Sequence, residues 1–179
     1  MLRGAIRSHS YTPNRMNVGR YLFSFVLLLL SISPSRATEF TGRVVSIKDG
    51  DTIEVLHNRR ADRIRLTGID CPEKKQAFGQ RAKQATSTMS FGQTVTIHST
   101  GKDRYERILD TVVLPSGRNL NQELVKAGWY WWYRKHAPGD AVIEGLENEA
   151  REARKGLWAD LHPIPPWKWR NKGIAGGGR

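Results

Sequence analysis

The sequence has 179 residues, and its 29 Lys and Arg against 17 Asp and Glu give a formal net charge of +12. This length suits one domain with one core, and the basic excess favours polyanionic partners such as nucleic acid, anionic lipid or acidic glycan. Cys71 is the only cysteine, which excludes internal disulfides. The five histidines show no ligand spacing, so the sequence offers no zinc site.

Residues 1–37 have the pattern of a secretory signal peptide, with basic residues before the apolar run Tyr21–Ile32 and small residues before a cut after Ala37. The run is shorter than the roughly 20 residues that span a bilayer. We therefore expect cleavage, export to the periplasm or medium, and no stable membrane association afterwards; uncleaved anchoring is the alternative. Met16 is an alternative start, because residues 16–37 alone make a complete signal.

The next part of the chain predicts β-structure. The runs Phe40–Ile47 and Ile53–Leu56 flank Asp49-Gly50-Asp51, and Asp-Gly between such runs is a hairpin signal. In Arg63–Leu66 charged and apolar residues alternate, which predicts a strand with its arginines on one face. Two further strands are predicted at residues 94–97 and 109–114.

Three helices are predicted around these strands. The first carries a common apolar face from Phe78 onward, and the second begins at Asn119 and ends before Gly128. The third runs from Asp140 to about Lys155. Its predicted buried stripe consists of Val142, Leu146, Ala150 and Ala153.

This order of elements fits an α+β, mainly β domain over residues 38–161, built as a five-stranded Greek-key barrel of the OB type with about three helices. Another α+β fold is compatible with the same order. Residues 162–179 are rich in Pro and Trp and then in Gly. They lack periodicity, so we expect a tail that lies on the surface and then becomes disordered.

Carboxylates in the first half indicate a cation site. Asp49-Gly50-Asp51 taken alone is a turn, but Asp70 ends a strand that can lie beside this hairpin. Carboxylates brought together from separate strands repel unless a cation lies between them, and hard oxygen ligands favour Ca²⁺ or Mg²⁺ over zinc. Glu73 follows Pro72 and is close enough in sequence to hold a water of the outer shell; the alternative is a solvated surface charge.

Two arginines complete the set of groups that metal-assisted phosphodiester hydrolysis needs, because they can stabilise the charge that the phosphate gains. Arg65 stands five residues before Asp70, so an unbroken strand would put the two side chains on opposite faces, but a bend at Gly68 can re-aim one of them. Arg107 lies in a charge-dense turn, where arginines are commonly solvated. A guanidinium fork can hold two phosphate oxygens at once, which lysine cannot do.

The segments Asp49–Thr52, Arg65–Glu73 and Asp103–Arg107 resemble, in order and spacing, the staphylococcal nuclease family, and the resemblance extends from about Thr41 to Trp158. It implies a monomeric enzyme that cuts DNA and/or RNA, prefers single strands, and releases 3′-phosphorylated products. The implied Ca²⁺ ligands are Asp51, Asp70 and the backbone carbonyl of Cys71. The implied catalytic residues are Arg65, Arg107 and Glu73, the last as general base or as the group that orients water.

The resemblance has two departures. The best-known family member has Thr at the position of Cys71, which we interpret as a small semi-buried residue rather than a redox-sensitive one. The family often has Gly at the position of Glu106. The Glu106 side chain either points to solvent without effect or competes with phosphate for Arg107, and we expect modest competition.

The aromatic run Trp129–Tyr133 allows both packing and base stacking. We expect Trp129, Trp132 and Trp158 in the core. Tyr133 lies near a matching family tyrosine, which makes it the candidate for the nucleotide pocket. Arg104 and Tyr105 are further candidate substrate contacts.

Two rival functions remain open from the sequence. One is a nucleic-acid-binding module without catalysis, and the other is an envelope protein acting on an acidic polysaccharide. The chain keeps all five charged residues of the family pattern, which favours the enzyme. They are Asp51, Arg65, Asp70, Glu73 and Arg107.

Overall fold

The structure is a computed structural model, which describes residues 38–176. The predicted signal peptide with its alternative start, and residues 177–179, lie outside the described residues. The elements in chain order are β1 (Thr38–Asp49), β2 (Thr52–His57), β3 (Arg60–Leu66), β4 (Ile69–Asp70), α1 (Gly79–Ser90), β5 (Thr94–Lys102), β6 (Ile108–Val113), α2 (Leu120–Lys126), β7 (Trp131–Trp132), α3 (Ala141–Glu152), a 3₁₀ turn (Gly156–Ala159) and α4 (Pro166–Gly176).

Five strands close a barrel in the order β1-β2-β3-β6-β5. Neighbouring strands are antiparallel except β3 and β6, which run parallel. The long strand β1 pairs with β5 through its first half and with β2 through its second half, and register shifts mark the second half. Such bulges bend a strand, so β1 can serve both neighbours and close the barrel. The α+β, OB-type fold predicted from the sequence is confirmed.

The helices α1 and α2 begin as their sequences predict. The first predicted face is confirmed, since Ala82 is buried and Ala85 and Met89 pack against the barrel core, whereas Phe78 packs against the cluster around Trp131. Asn119 caps α2, because its side chain accepts hydrogen bonds from the backbone amides of Asn121 and Gln122. Gly128 follows the helix with a φ of 77°, the left-handed conformation that commonly ends a helix.

The predicted buried stripe of α3 was wrong in part. Val142 is exposed and Ala153 lies at the C-terminal cap, whereas the buried face is formed by Ile143, Glu147 and Ala150. Glu147 tolerates burial because its carboxylate accepts a hydrogen bond from the Trp132 backbone amide at 2.9 Å and pairs with Arg151 at 3.3 Å. The buried face of α3 is therefore rotated so that it includes Glu147, a charged residue that hydropathy alone would place on the surface.

The tail contains a helix, α4, that the sequence analysis missed. Trp167 lies edge-on to Trp131, with ring centroids 5.6 Å apart, and stacks on Tyr133 at 5.4 Å with an interplanar angle of 21°. Helices this short gain most of their stability from such packing rather than from their own periodicity. The disorder expected of the glycine-rich end falls on residues 177–179, outside the described range.

Candidate active site

A cavity of about 880 Å³ opens where the β1–β2 hairpin, the β3–β4 bend and the β5–β6 turn meet. All nine site residues predicted from the sequence line it. They are Asp51, Arg65, Asp70, Cys71, Glu73, Arg104, Tyr105, Arg107 and Tyr133. The fold therefore brings together side chains from the three motif segments and from Tyr133, as the sequence interpretation requires.

The β1–β2 hairpin presents Asp51 because the turn is held from inside the protein. The Gly50 carbonyl accepts hydrogen bonds from the hydroxyl of the fully buried Tyr130 and from the Thr86 hydroxyl, the latter at 2.8 Å. A Cβ atom at Gly50 would lie 2.7 Å from the Cys71 sulfur, so only glycine fits here. Sequence reasoning missed Tyr130 and Thr86, since neither belongs to a recognisable motif.

The bend between β3 and β4 confirms that the strand does not run unbroken from Arg65 to Asp70. Gly68 has a φ of 73°, and the Thr67 amide turns away to donate to the Asp110 carbonyl at 3.0 Å. As a result Arg65 and Asp70 face each other, with Arg65 Nη2 3.4 Å from Asp70 Oδ1.

Arg65 bridges the two inner carboxylates. Its Nη1 pairs with Asp51 Oδ1, while Nη2 faces Asp70. The side chains of Asp51 and Asp70 are only 8% and 1% exposed. Buried carboxylates need such a counter-charge, and Arg65 supplies it to both of them.

The donor chemistry of this pair fits a hard divalent cation. Asp51 and Asp70 offer carboxylate oxygens, which Ca²⁺ and Mg²⁺ prefer. Within residues 38–176 no group of three or more His, Cys, Asp or Glu side chains is arranged to hold a metal. The two carboxylates would therefore need main-chain oxygens and waters to complete the coordination shell, which both cations accept.

Cys71 lies behind Asp51 as a buried thiol. Its sulfur donates to Asp51 Oδ2 at 3.3 Å. Burial raises the pKa of the thiol to about 12, so it stays protonated at neutral pH. This supports the interpretation of Cys71 as a packed residue rather than a redox-sensitive one.

Arg107 is held in place rather than solvated. Asp103 Oδ2 accepts from its Nε at 2.8 Å and from its Nη2 at 2.7 Å, and Nη1 lies 3.3 Å from the Thr52 hydroxyl. Burial acts to raise the pKa of Asp103, but hydrogen bonds from Arg107 and the turn amides outweigh it and lower the pKa. The charged Asp103 thus fixes one edge of the guanidinium within the cavity wall.

Of the two alternatives for Glu106, the structure favours the side chain that points to solvent over the one that competes with phosphate for Arg107. The Glu106 side chain is 81% exposed and pairs with Lys102 at 3.1 Å. Its backbone, however, has a φ of 60°, in the left-handed region that favours glycine. The effect of having Glu106 where the family often has Gly is therefore on the backbone conformation of the turn rather than on the charge near Arg107.

Replacing Glu106 with Gly should stabilise the protein by about 0.5–1 kcal/mol. Glycine removes the cost of the left-handed backbone, and the greater conformational entropy of glycine in the unfolded chain cancels part of that gain. Glu106→Gln keeps the strain and should leave the melting temperature unchanged, because it loses only an exposed ion pair. Thermal unfolding of both variants measures this. A gain in the Gln variant equal to that in the Gly variant would contradict the conformational explanation.

Aromatic side chains extend the cavity on one side. Trp132 and Trp158 are buried and Trp129 packs against the core, as predicted. Tyr133 is half-buried in the cavity wall, and beyond it lies a second cavity of about 560 Å³ that Trp167 also lines. The Arg104 guanidinium lies 4.7 Å over the ring of the exposed Tyr105.

Arg170, on α4, is a cavity residue that sequence reasoning missed. Its Nη2 lies 2.7 Å from Asp70 Oδ2 and its Nη1 lies 2.7 Å from Glu73 Oε1. Burial acts to lower its pKa, but the bonds to both carboxylates outweigh this and raise the pKa above its usual value. No motif marks Arg170, because it follows Glu73 by 97 residues in a segment predicted to be irregular.

Comparison with known proteins finds related sequences over most of the described chain. A family model described as "Staphylococcal nuclease homologue" matches residues 63–160. An "Uncharacterized endonuclease" of Escherichia coli is 44% identical over 147 residues, covering 82% of this chain and 95% of that protein. A "Micrococcal nuclease" of Shigella flexneri is 43% identical over 160 residues, covering 84% and 91% of the two chains. Helix α4 lies beyond the segment that the family model matches.

Proposed function

Because the chain belongs to the staphylococcal nuclease family, we propose that it is an exported, Ca²⁺-dependent endonuclease that hydrolyses DNA and/or RNA to 3′-phosphorylated products. The observation that carries this proposal is one cavity in which two buried carboxylates, a half-exposed carboxylate and two held arginines converge. No common structural role requires this combination, whereas phosphodiester hydrolysis uses each part.

Asp51, Asp70 and the Cys71 carbonyl would hold the cation. When bound, Ca²⁺ supplies positive charge to the phosphate oxygens and so lowers the cost of the charge gained in the reaction. The family is metal-dependent, and the oxygen-only donor pair supports a hard cation over zinc.

Glu73 would act on the attacking water, as its general base or as the group that orients it. Its loop is closed by two hydrogen bonds with Gln76: the Gln76 amide donates to the Glu73 carbonyl at 2.8 Å, and the Gln76 side chain accepts from the Glu73 amide at 3.1 Å. In the proposed reaction the water gives a proton to Glu73 as its oxygen bonds to phosphorus. The bond from phosphorus to the 5′ oxygen breaks, that oxygen takes a proton from solvent water, and Glu73 afterwards returns its proton to solvent.

Arg65 and Arg107 would bind the phosphate oxygens as charge develops. Both guanidiniums are fixed by carboxylates before substrate arrives, which removes the cost of ordering them during the reaction. Arg104 and Tyr105 flank this position from the exposed turn and are proposed substrate contacts.

The leader-like pattern of residues 1–37 supports export to the periplasm or medium, where we propose that the enzyme acts as a monomer. Within residues 38–176 no helix is long and apolar enough to cross a membrane. Expression of the full chain, followed by N-terminal sequencing of the protein from each cell fraction, tests both the cut after Ala37 and the final compartment.

Release of acid-soluble fragments from DNA and RNA, with Ca²⁺ and with excess chelator, tests the catalytic proposal. Asp51→Asn and Asp70→Asn should reduce both Ca²⁺ affinity and turnover, and Mg²⁺ should rescue poorly because it resists dehydration and irregular ligand sets. Full activity in chelator would contradict the metal assignment. Binding without fragments would favour the binding module, and fragments only from acidic polysaccharide would favour the envelope protein.

Base stacking on Tyr133 and Trp167 should account for a preference for single strands. Tyr133→Leu should raise KM for a single-stranded oligonucleotide at least about fivefold, the low end for loss of one stacked base, with little change in kcat. Phe91→Leu is the matched control, because Phe91 is 57% exposed and lines neither cavity. Equal KM values for wild type and Tyr133→Leu would remove Tyr133 from the nucleotide pocket.

A further inference from the structure

Helix α4 places a positive charge directly on the two carboxylates that the proposed chemistry needs. Arg170 Nη2 lies 2.7 Å from Asp70 Oδ2. Its Nη1 lies 3.4 Å from Asp70 Oδ1 and 2.7 Å from Glu73 Oε1. One guanidinium therefore spans a proposed metal ligand and the proposed base. Arg170 lies outside the segment matched by the family model.

The position of Arg170 is fixed by packing of its helix. Trp167, one turn before it, contacts both Trp131 of β7 and Tyr133, which directly follows that strand. Upstream, the Gln76 side chain donates to the Ile164 carbonyl and ties the approach to α4 to the Glu73 loop. These contacts seat Arg170 over the cavity rather than leaving it as a free surface side chain.

The oxygens of Asp70 are fully engaged by arginines. Oδ2 accepts only from Arg170 among the described contacts, whereas Oδ1 lies 3.4 Å from both Arg65 and Arg170. A cation that binds Asp70 would stand within a few ångströms of the Arg170 charge, and like charges at such distances repel. Arg170 and a divalent cation therefore compete for Asp70, whose Oδ2 accepts from Arg170 at 2.7 Å.

We propose that Arg170 is a further positioning residue of the active site, which holds Asp70 and Glu73 in competition with the divalent cation and so sets the cation concentration at which the enzyme becomes active. This inference rests on the proposed function. By thermodynamic linkage, cation binding and the Arg170 pair weaken each other by the same factor.

Calorimetric titration with Ca²⁺ tests the competition directly. Arg170→Gln should bind Ca²⁺ about tenfold more tightly than the wild type, which corresponds to roughly 1.4 kcal/mol, because the competitor is gone. Lys168→Gln is the matched control: it removes the same charge from an exposed site on the same helix that lines neither cavity. It should change the Kd by less than about twofold.

A second measurement follows the guanidinium itself. The ¹⁵N signal of Arg170, identified by its loss in Arg170→Gln, should move away from its ion-paired position as Ca²⁺ saturates the protein. An unchanged signal at saturation, or equal Kd values in wild type and Arg170→Gln, would overturn the inference, and so would the absence of Ca²⁺ binding in both proteins.

A parallel cleavage assay separates failure of this inference from failure of the proposed function. If both proteins cut DNA at saturating Ca²⁺ and reach half-maximal activity at the same Ca²⁺ concentration, the nuclease assignment stands and Arg170 is structural. If neither protein cuts at any Ca²⁺ concentration, the proposed function itself is wrong.

Discussion

Replacing Arg65 with Ala should lower kcat by at least ~100-fold, the scale observed when one preorganised charge stabiliser is lost. Arg65 acts twice in this site, because its guanidinium bridges Asp51 and Asp70 and also faces the cavity where phosphate would bind. Lysine at this position should recover little activity, since a point charge cannot bridge two carboxylates or bind two phosphate oxygens.

The measurement must separate loss of catalysis from loss of the cation or of the fold. We expect the kcat of Arg65→Ala to remain low at saturating Ca²⁺, so altered cation occupancy is not the cause. Arg107→Ala is the comparison, because Arg107 contacts Asp103 and Thr52 rather than the carboxylate pair. It should lose a similar factor of roughly 100 in kcat with Ca²⁺ affinity unchanged. Cleavage at the wild-type rate by either variant would reassign that arginine to structure.

Asp110 should make the protein less stable as the pH rises from about 4 to 7. The residue is fully buried on β6, and neither of its carboxylate oxygens accepts a hydrogen bond of good geometry among the described residues. Burial raises its pKa from 3.8 to about 7, and the backbone amides of Thr111 and His98, which approach the carboxylate and favour its charged form, offset the rise only in part. The unfolded chain releases the proton near pH 4 while the folded chain keeps it to about pH 7, so the unfolded state is favoured across this interval, by on the order of 4 kcal/mol.

Asp110→Asn should remove this slope. The variant should be more stable than the wild type at pH 7.5 and gain little at pH 4, where the wild-type carboxyl is neutral in both states. Chemical unfolding at several pH values measures the difference, and Asp160→Asn, at an exposed aspartate, serves as the control. Parallel stability curves for Asp110→Asn and the wild type would show that Asp110 does not titrate in this interval.

The sequence by itself determined the order of strands and helices and most of the cavity residues. Asp49-Gly50-Asp51 predicts a hairpin because the turn conformation is encoded within a few residues, and Asn119 predicts a helix start because its side chain caps the adjacent amides. All nine predicted site residues converge because each belongs to a local segment at the end of a strand. Identity, order and spacing were sufficient for these.

Only the tertiary structure decided the contacts between distant segments. Glu106 pairs with Lys102 rather than with Arg107, a choice set by side-chain direction in the turn. The buried stripe of α3 includes Glu147 because partners from elsewhere in the chain satisfy its carboxylate. Arg170 reaches Asp70 across 100 residues, through a helix that is stabilised by packing on Trp131 and Tyr133. A sequence pattern reports the backbone preference of a few neighbouring residues. A contact between distant side chains, such as that of Arg170 with Asp70, forms only when the complete fold brings them together.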